Sequence, residues 1–350
     1  MFTDLVYIGR FQPFHNEHLR VIEQALTKCD HLVLVIGSCN VARSTKNPFT
    51  AEEREAMIRA SVSNPEAISF VYSNDYPYDW QRWEDEIVDA VQEAVLDNLN
   101  GGLPVRLHGL DQCNIGLLCP RKDAETGEYL DLFQCWEHIN VEVENPINAT
   151  DIRKAYLGDV YSDSYEGYDE YLDSVVPVAV AQYMNNFEAT VAFKTLYEEY
   201  AYIQRYKESW ADAPFPPMFI TVDNVVIHRG KVLLIKRGGY PGNGLWALPG
   251  GFHEVGQTLR QSALRELREE TTLDNVEIYL EDSRVFDNPS RSQLGAMVTH
   301  AYFYLIPDEV EVPLVSGQDD ATHAEWVDLD YLDPRQMHDD HWHIINEVYW

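Results

Sequence analysis

Apolar residues follow two rhythms along this chain, and the change between them divides it. Leu5 to Ile8 is a short unbroken apolar run closed by Gly9, the pattern of a buried strand feeding a loop. From Glu17 to Cys29, Leu19, Ile22, Ala25 and Leu26 recur at helical spacing, and His31 to Ile36 is a second apolar run ending at Gly37. Strand, helix and strand within about 35 residues form a βαβ unit, which requires parallel strands and a right-handed crossover. Thr50-Ala51-Glu52-Glu53 has the form of a capping box, and the helix it opens continues through Met57 and Ile58. A strand at Ile68 to Tyr72, a helix over Trp80 to Leu99, and strands near Val105 to Leu107 and Val141 to Val143 continue the alternation. The pattern predicts an α/β, doubly wound domain with a parallel sheet.

The rhythm then breaks. Asp159 to Asp173 is acidic and Tyr-rich, Val175 to about Lys207 reads as helical, and prolines crowd Ala213-Pro214-Phe215-Pro216-Pro217. These mark a first domain over 1–186, a helical, Pro-containing linker over 187–213 and a second domain over 214–350. In the second, Ile220 to His228, Lys231 to Lys236 and Thr299 to Ile306 read as strands around a helix at Leu259 to Glu270, an α+β pattern.

Composition narrows the partners. The chain has 350 residues, enough for about two domains, and its 45% apolar content is that of a folded protein. The formal net charge is −32, and the acidity is spread over both parts. Such a field repels phosphate backbones and anionic lipid, so nucleic acid and membrane surfaces are not expected partners. Five cysteines, an odd number without CxxC spacing, fit a reducing cytoplasm better than a disulfide framework or a zinc site. Met1-Phe2-Thr3-Asp4 lacks a basic, apolar leader pattern, and the apolar runs are too short to span a bilayer. A homo-oligomer is compatible with all of this.

The loop after the first strand reads Gly9-Arg10-Phe11-Gln12-Pro13-Phe14-His15-Asn16-Glu17-His18. Histidines three apart at a helix start share a face near the terminal amides, where the helix dipole favours phosphate. Imidazole N–H groups donate to phosphoryl oxygens, and Gly9 lets backbone approach a ligand. The HxxH spacing alone is weak; its place at the carboxyl end of a parallel strand is where ligands bind in such folds.

GRFQPFHNEH resembles the HxGH-type signature of the nucleotidyltransferase superfamily, and within it the nicotinamide mononucleotide adenylyltransferases, with Glu17 where the shorter motif often has Gly. The resemblance implies a Rossmann-like fold. Asn148-Ala149-Thr150-Asp151-Ile152-Arg153 resembles the second phosphate-binding motif; a helix N-cap at Thr150 and a solvated Arg153 are the plainer alternatives. Asn47 to Arg54 resembles the segment that the family uses near base and phosphates, with Asn47 and Arg54 as candidates. Trp83 either stacks on the nicotinamide ring or belongs to the core. The resemblance implies adenylyl transfer from ATP to nicotinamide mononucleotide, giving NAD and pyrophosphate. His15, His18 and Arg153 would act with Mg²⁺, and Gly9, Arg10, Phe11, Asn47, Arg54, Trp83 and Thr150 would contact substrate. The nucleophile is already an anion, so positioning and charge neutralisation suffice.

The second domain carries Leu248-Pro249-Gly250-Gly251 and then Arg265-Glu266-Leu267-Arg268-Glu269-Glu270. Glu266, Glu269 and Glu270 share one helix face, either as a solvated acidic stripe or as hard oxygen donors for Mg²⁺ or Mn²⁺. Gly251, five residues, Gln257, seven residues, then Arg265-Glu266-Leu267-x-Glu269-Glu270 resembles the Nudix box. Gln257 replaces its first Glu, costing a charge-assisted bond to Arg265, and Thr272 replaces its late Gly, removing a flexible helix end. The resemblance implies that the Gly250 carbonyl with Glu266 and Glu270 holds metal, that Glu269 holds a second ion, and that Glu269 and Glu270 are catalytic. Asp319 and Asp320 are candidate bases. Asp287 and Arg291 either contact substrate or form a surface turn.

Together the domains resemble the bifunctional nicotinamide mononucleotide adenylyltransferase/ADP-ribose pyrophosphatase family, whose second activity cleaves ADP-ribose to AMP and ribose 5-phosphate. Three alternatives stay open at this point. The Nudix half is a non-catalytic ligand-binding or regulatory module, motivated by Gln257. The chain is a transcription regulator with a Nudix-like sensor, which its charge opposes. Or the first domain takes another adenylyl or cytidylyl acceptor.

Overall fold

The computed structural model describes residues 2–99, 114–120, 128–144, 146–158 and 168–349, which fall into two compact units, Met1–Tyr197 and Glu198–Trp350. The first contains β1 (Phe2–Gly9), α1 (Asn16–Ala25), β2 (Cys29–Ile36), α2 (Ala51–Arg59), β3 (Ile68–Tyr72), α3 (Trp80–Leu99), β4 (Ile115–Pro120), β5 (Glu137–Val141), α4 (Ala149–Gly158), α5 (Tyr168–Val175) and α6 (Val178–Phe187). α7 (Val191–Glu208) runs across the division between the units.

The sheet order is β3-β2-β1-β4-β5, with every adjacent pair parallel. Strand order reverses beside β1, so the loop after Gly9 opens at the topological switch point, where open α/β sheets bind ligands. Val6, Ile8, Val33, Val35 and Leu117 pack with Ile87, Val91 and Val95 of α3 on one face. Burying these unbroken apolar strands supplies most of the drive for this layer.

Some expectations shift. The strand expected at Val141 to Val143 lies at Glu137–Val141 and pairs with β4. Its half-exposed, polar sequence gave no apolar run to read. The helix expected from Val175 to Lys207 is broken: Pro177 caps α6, and the Thr190 hydroxyl accepts from the Phe193 amide at the start of α7. The strand expected at Val105 to Leu107, and Asp159 to Gly167 of the acidic stretch, lie outside the described residues.

The second unit contains β6 (Met218–His228), β7 (Lys231–Arg237), β8 (Trp246–Ala247), β9 (Gly250–Phe252), α8 (Leu259–Thr271), β10 (Leu280–Phe286), β11 (Ala296–Ile306), β12 (Ala321–Asp328) and α9 (His341–Tyr349). Its mixed sheet runs β10-β11-β6-β7-β12, with β8 on β7 and β9 on β6; β11 and β6 are parallel. Four strands escaped the hydrophobic pattern. β8 and β9 are two and three residues long, β10 is exposed along most of its length, and β12 is broken up by Thr322, His323 and Glu325. Val222, Val226, Leu233, Ala263, Leu267, Tyr302 and Tyr304 form the core beneath α8.

Candidate active sites

The first site is built on the loop that leaves β1. Phe11 turns back at φ 52° and buries its ring, and a Cβ on Gly9 would lie 2.8 Å from that ring. Gly9 therefore makes room for Phe11, a different use from the ligand approach expected of it. Phe11 itself lies beneath the site, edge-on to His18 with ring centroids 4.9 Å apart.

His15 and His18 cap α1 for each other. The His18 amide donates to His15 Nδ1 at 3.4 Å, and the His15 amide donates to His18 Nδ1 at 3.3 Å. This is a capping box made of imidazoles. A ring nitrogen that accepts from an amide carries no proton, so both neutral rings hold theirs on Nε2. The rings stack with centroids 3.5 Å apart, which presents the two Nε2–H donors side by side. The sequence places the histidines on one face; the structure adds that helix capping sets their tautomer.

Two buried arginines brace this loop from below. Arg153 donates to the Gln12 carbonyl at 2.7 Å and to the Thr150 hydroxyl at 3.1 Å. Burial and then the charge of Arg10 push Arg153 down to about 10. Arg54 is 1% exposed, and its guanidinium donates to the carbonyls of Thr50, Arg10, Gly37 and Ser38. That geometry makes Arg54 a bracket between the ends of β1 and β2, in place of the outward substrate contact expected. Gln12, unflagged by the sequence, clamps the loop to the segment just before α2 by donating to the Phe49 carbonyl and accepting its amide.

The remaining candidates are distributed around this centre. Thr150 is exposed at the start of α4, and the Asn148 side chain accepts its amide, so Asn148 is the cap. Arg10 is exposed. Asn47 is half-buried, and its Oδ1 is buried with no hydrogen-bond partner. Trp83 packs edge-on against Phe133 and Tyr129 at the margin of the core.

Glu17, the departure from the short motif, is 4% exposed. It takes a bidentate bond from Arg20 and the Glu144 amide, while Arg20 also reaches the Glu142 carbonyl. The side chain thus ties α1 to the segment that leads into α4 and Arg153.

The second site lies between β9 and α8. Glu270 is 5% exposed, accepts the Gly250 amide at 2.8 Å, and is pushed up to about 8 by burial. Arg265 donates to Glu266 and Glu269, each at 2.6 Å, while its Nε is buried with no hydrogen-bond partner. Gln257 does not take up that Nε; its side chain accepts from Ser262. Thr272 caps α8 at φ 63°, a left-handed backbone that a β-branched residue adopts at a cost. The effect of this departure is strain, where a lost flexible end was expected.

The donor set fits a hard divalent cation by chemistry: three carboxylates on one face of α8, beside the Gly250–Gly251 backbone. Gly251 leaves space that a Cβ would take, 2.7 Å from the Glu266 carboxylate. Among the described residues, no three His, Cys, Asp or Glu side chains converge on one point; Arg265 pairs with Glu266 and Glu269, and the Gly250 amide donates to Glu270. Asp319 is exposed, at φ 52°, and its charge reaches Glu266. Asp320 is exposed and holds Gly238 through its carbonyl.

Arg291 and Asp287 part company. Asp287 is exposed, whereas Arg291 is 8% exposed and makes a bidentate pair with Asp340 at 3.0 Å. Around it lie buried polar groups that the sequence did not flag: Asp223, His338 and His341. They are distant in sequence and belong to no motif.

Fold and sites together define a nucleotidyltransferase-type α/β domain followed by a Nudix domain. A cytidylyltransferase-like family model matches residues 6–155, and a NUDIX domain model matches residues 218–348. A bifunctional NMN adenylyltransferase/ADP ribose pyrophosphatase from Francisella tularensis is 30% identical, with TM-score 0.85, covering 99% of this chain and 98% of that one. Its complex with AMP and a manganese ion gives 29% identity and TM-score 0.84 over the same shares. Nicotinamide/nicotinic acid mononucleotide adenylyltransferase of Acinetobacter baylyi is 33% identical over 202 residues, 57% of this chain and 94% of that one. The chain belongs to the bifunctional nicotinamide mononucleotide adenylyltransferase/ADP-ribose pyrophosphatase family.

Proposed function

We infer that the chain carries out two reactions of NAD metabolism, one on each unit: a nicotinamide-nucleotide adenylyltransferase over 1–186 and a Nudix ADP-ribose pyrophosphatase over 214–350, joined through 187–213. In the first, a phosphate oxygen of nicotinamide mononucleotide attacks the α-phosphorus of ATP. The P–O–P bond of NAD forms as the bond to pyrophosphate breaks. No protein base is needed, because the attacking oxygen is already ionised. The observation that carries this reading is the imidazole capping box, whose stacked rings offer two Nε2–H donors to charge that builds on a transferring phosphoryl group. Arg10 and Arg153 add fixed positive charge, a local field that overrides the chain's net charge of −32.

In the second unit, Glu266, Glu269, Glu270 and the Gly250 carbonyl are suited to hold Mg²⁺ or Mn²⁺. A divalent cation supplies Lewis-acid polarisation of the pyrophosphate and acidifies water. Asp319, with its charge reaching Glu266, is the better placed of the two candidate bases. The products are AMP and ribose 5-phosphate. The Arg265 contacts to Glu266 and Glu269 favour a second reading, a ligand-binding module. We place the protein in the cytoplasm, with small nucleotides and neither nucleic acid nor membrane as partners. No helix among the described residues is long and apolar enough to cross a membrane.

Product analysis tests both halves on the full chain. NAD should form from nicotinamide mononucleotide and ATP, and fall at least a hundredfold in His18→Ala. AMP should appear from ADP-ribose with Mn²⁺, and vanish in Glu270→Gln. A folded chain that makes no NAD refutes the first assignment; one that releases no AMP leaves the module reading in its place.

A further inference from the structure

The loop Leu248-Pro249-Gly250 is suspended from three elements. Glu270 of α8 accepts the Gly250 amide. Asn224 of β6, fully buried, donates from its side chain to both the Pro249 and Ala263 carbonyls, fastening the loop to α8. The third tie comes from the far end of the sequence: the Leu248 amide donates to His341 Nδ1 at 2.8 Å. We propose that His341 is a positioning residue for the metal-holding loop of the Nudix site, so that the segment His338–His341 is part of that site.

The segment's register on the loop is fixed. Trp246 of β8 bridges Met337 in parallel, and the His338 amide donates to the Trp246 carbonyl at 2.8 Å. Two residues beyond Trp246 is Leu248; three beyond His338 is His341 at the start of α9. Asp340 is held in turn by the bidentate bond from buried Arg291. Because His341 Nδ1 accepts, its proton lies on Nε2, which faces Asp223 at 3.9 Å. Asp223 lies directly under the loop: it pairs with Gly250 across β6 and β9, and a Cβ on Gly250 would meet its carboxylate at 2.6 Å. His341 thus contacts the loop at Leu248 and faces the floor beneath Gly250. It acts on the Gly250 carbonyl, which is read as a metal ligand, through the loop, two residues away at the Leu248 amide.

The inference rests on that metal reading, and the test separates the two. Mn²⁺ binding to the full chain is followed by the electron paramagnetic resonance of free Mn²⁺, with Glu270→Gln defining the ions bound outside the Nudix site. His341→Asn places an amide oxygen where Nδ1 stands, whereas His341→Gln places its amide at the Nε2 position. We expect Asn to bind Mn²⁺ within about threefold of the parent, and Gln and Ala about tenfold or more weaker, the range for lost outer-sphere support of a metal site. Hydrolysis by Gln and Ala should recover at high Mn²⁺. Equal Mn²⁺ affinity in the parent, Asn and Gln chains overturns the proposal, as does equal weakening in Asn and Gln. If Ala fails to fold, the Asn–Gln pair decides. If Glu270→Gln removes no Mn²⁺ site, the metal reading fails first.

Discussion

The substitution Gln257→Glu should improve metal binding at the Nudix site. Arg265 now does two things at once: it pairs with Glu266 and Glu269, and it leaves its buried Nε without a partner. A cation entering the site must draw those carboxylates away. The Glu266 contact is the more enclosed, with side chains 23% and 12% exposed, and a charge-assisted bond there is worth about 1.5–3 kcal/mol. The Glu269 contact, with that carboxylate 42% exposed, is worth about 0.5 kcal/mol. Taken at the lower end, the competition costs about 2 kcal/mol, roughly a thirtyfold loss in apparent metal affinity. Gln257 already bonds Ser262, one helical turn before Arg265. A carboxylate at 257 that claims Arg265 recovers about half of that energy, so half-saturating Mn²⁺ in ADP-ribose hydrolysis should fall about fivefold. NAD formation should not change. The control is the same substitution in an Arg265→Gln background, where the gain should disappear. Unchanged Mn²⁺ dependence, or a gain that persists without Arg265, refutes the reasoning.

Three further outcomes follow from particular side chains. Glu17→Ala cuts the tie between α1 and Glu142–Glu144; kcat for NAD formation should fall about tenfold or more, while Glu17→Gln, which still accepts the Glu144 amide, should keep most of it in steady-state assays. Thr272→Gly relieves a left-handed backbone and should stabilise the second unit by about 1 kcal/mol in denaturant titration; a loss of stability would show that the Thr272 side chain contributes more than its strain costs. Asp339, beside Asp340 and Arg291, is pushed up to about 7, first by burial. The folded chain then holds a proton that the unfolded chain releases near pH 4, so this contribution, at most about 4 kcal/mol, is full at low pH and lost as pH rises through 7. Denaturation midpoints at about pH 5.5 and about pH 8 should draw together in Asp339→Asn.

What was legible in the sequence follows from how each feature is encoded. The parallel sheet was readable because a strand buried on both faces must be an unbroken apolar run, as Leu32 to Ile36 is. β10 and β12 were not, since exposed strands carry no such run and are fixed by pairing with β11 and β7. His15, His18 and the α8 glutamates were readable because their chemistry is concentrated in one turn of helix. Gln12, Asn224 and His341 were not: each acts through a bond to a backbone group far away in sequence, and a backbone group has no letter in the sequence. Arg54 and Arg291 were read as outward contacts because an arginine looks the same whether it faces a phosphate or a carbonyl. Burial separates the cases, and burial is a property of the fold.

The two units meet opposite electrostatic problems on one acidic chain. On the proposed reading the first gathers anions against a net charge of −32, with neutral imidazoles whose tautomer is fixed by capping and with Arg153 bonded to the same loop. Neutral donors suit this place, because they stabilise charge that develops in transfer without a buried cation having to be desolvated for each donor. The second must gather cations, and starts from three carboxylates that repel one another on α8. Without metal, that repulsion is offset by Arg265, while burial pushes the Glu270 carboxyl up to about 8. A cation held there would have to displace Arg265, so the contacts that let α8 fold empty are those it would compete with. Gln257 belongs to this balance: with no carboxylate at 257, Arg265 pairs with Glu266 and Glu269, which is expected to stabilise the empty helix and to weaken metal binding there. If that competition operates, AMP release should saturate at lower Mn²⁺ once Gln257→Glu draws Arg265 away from Glu266 and Glu269.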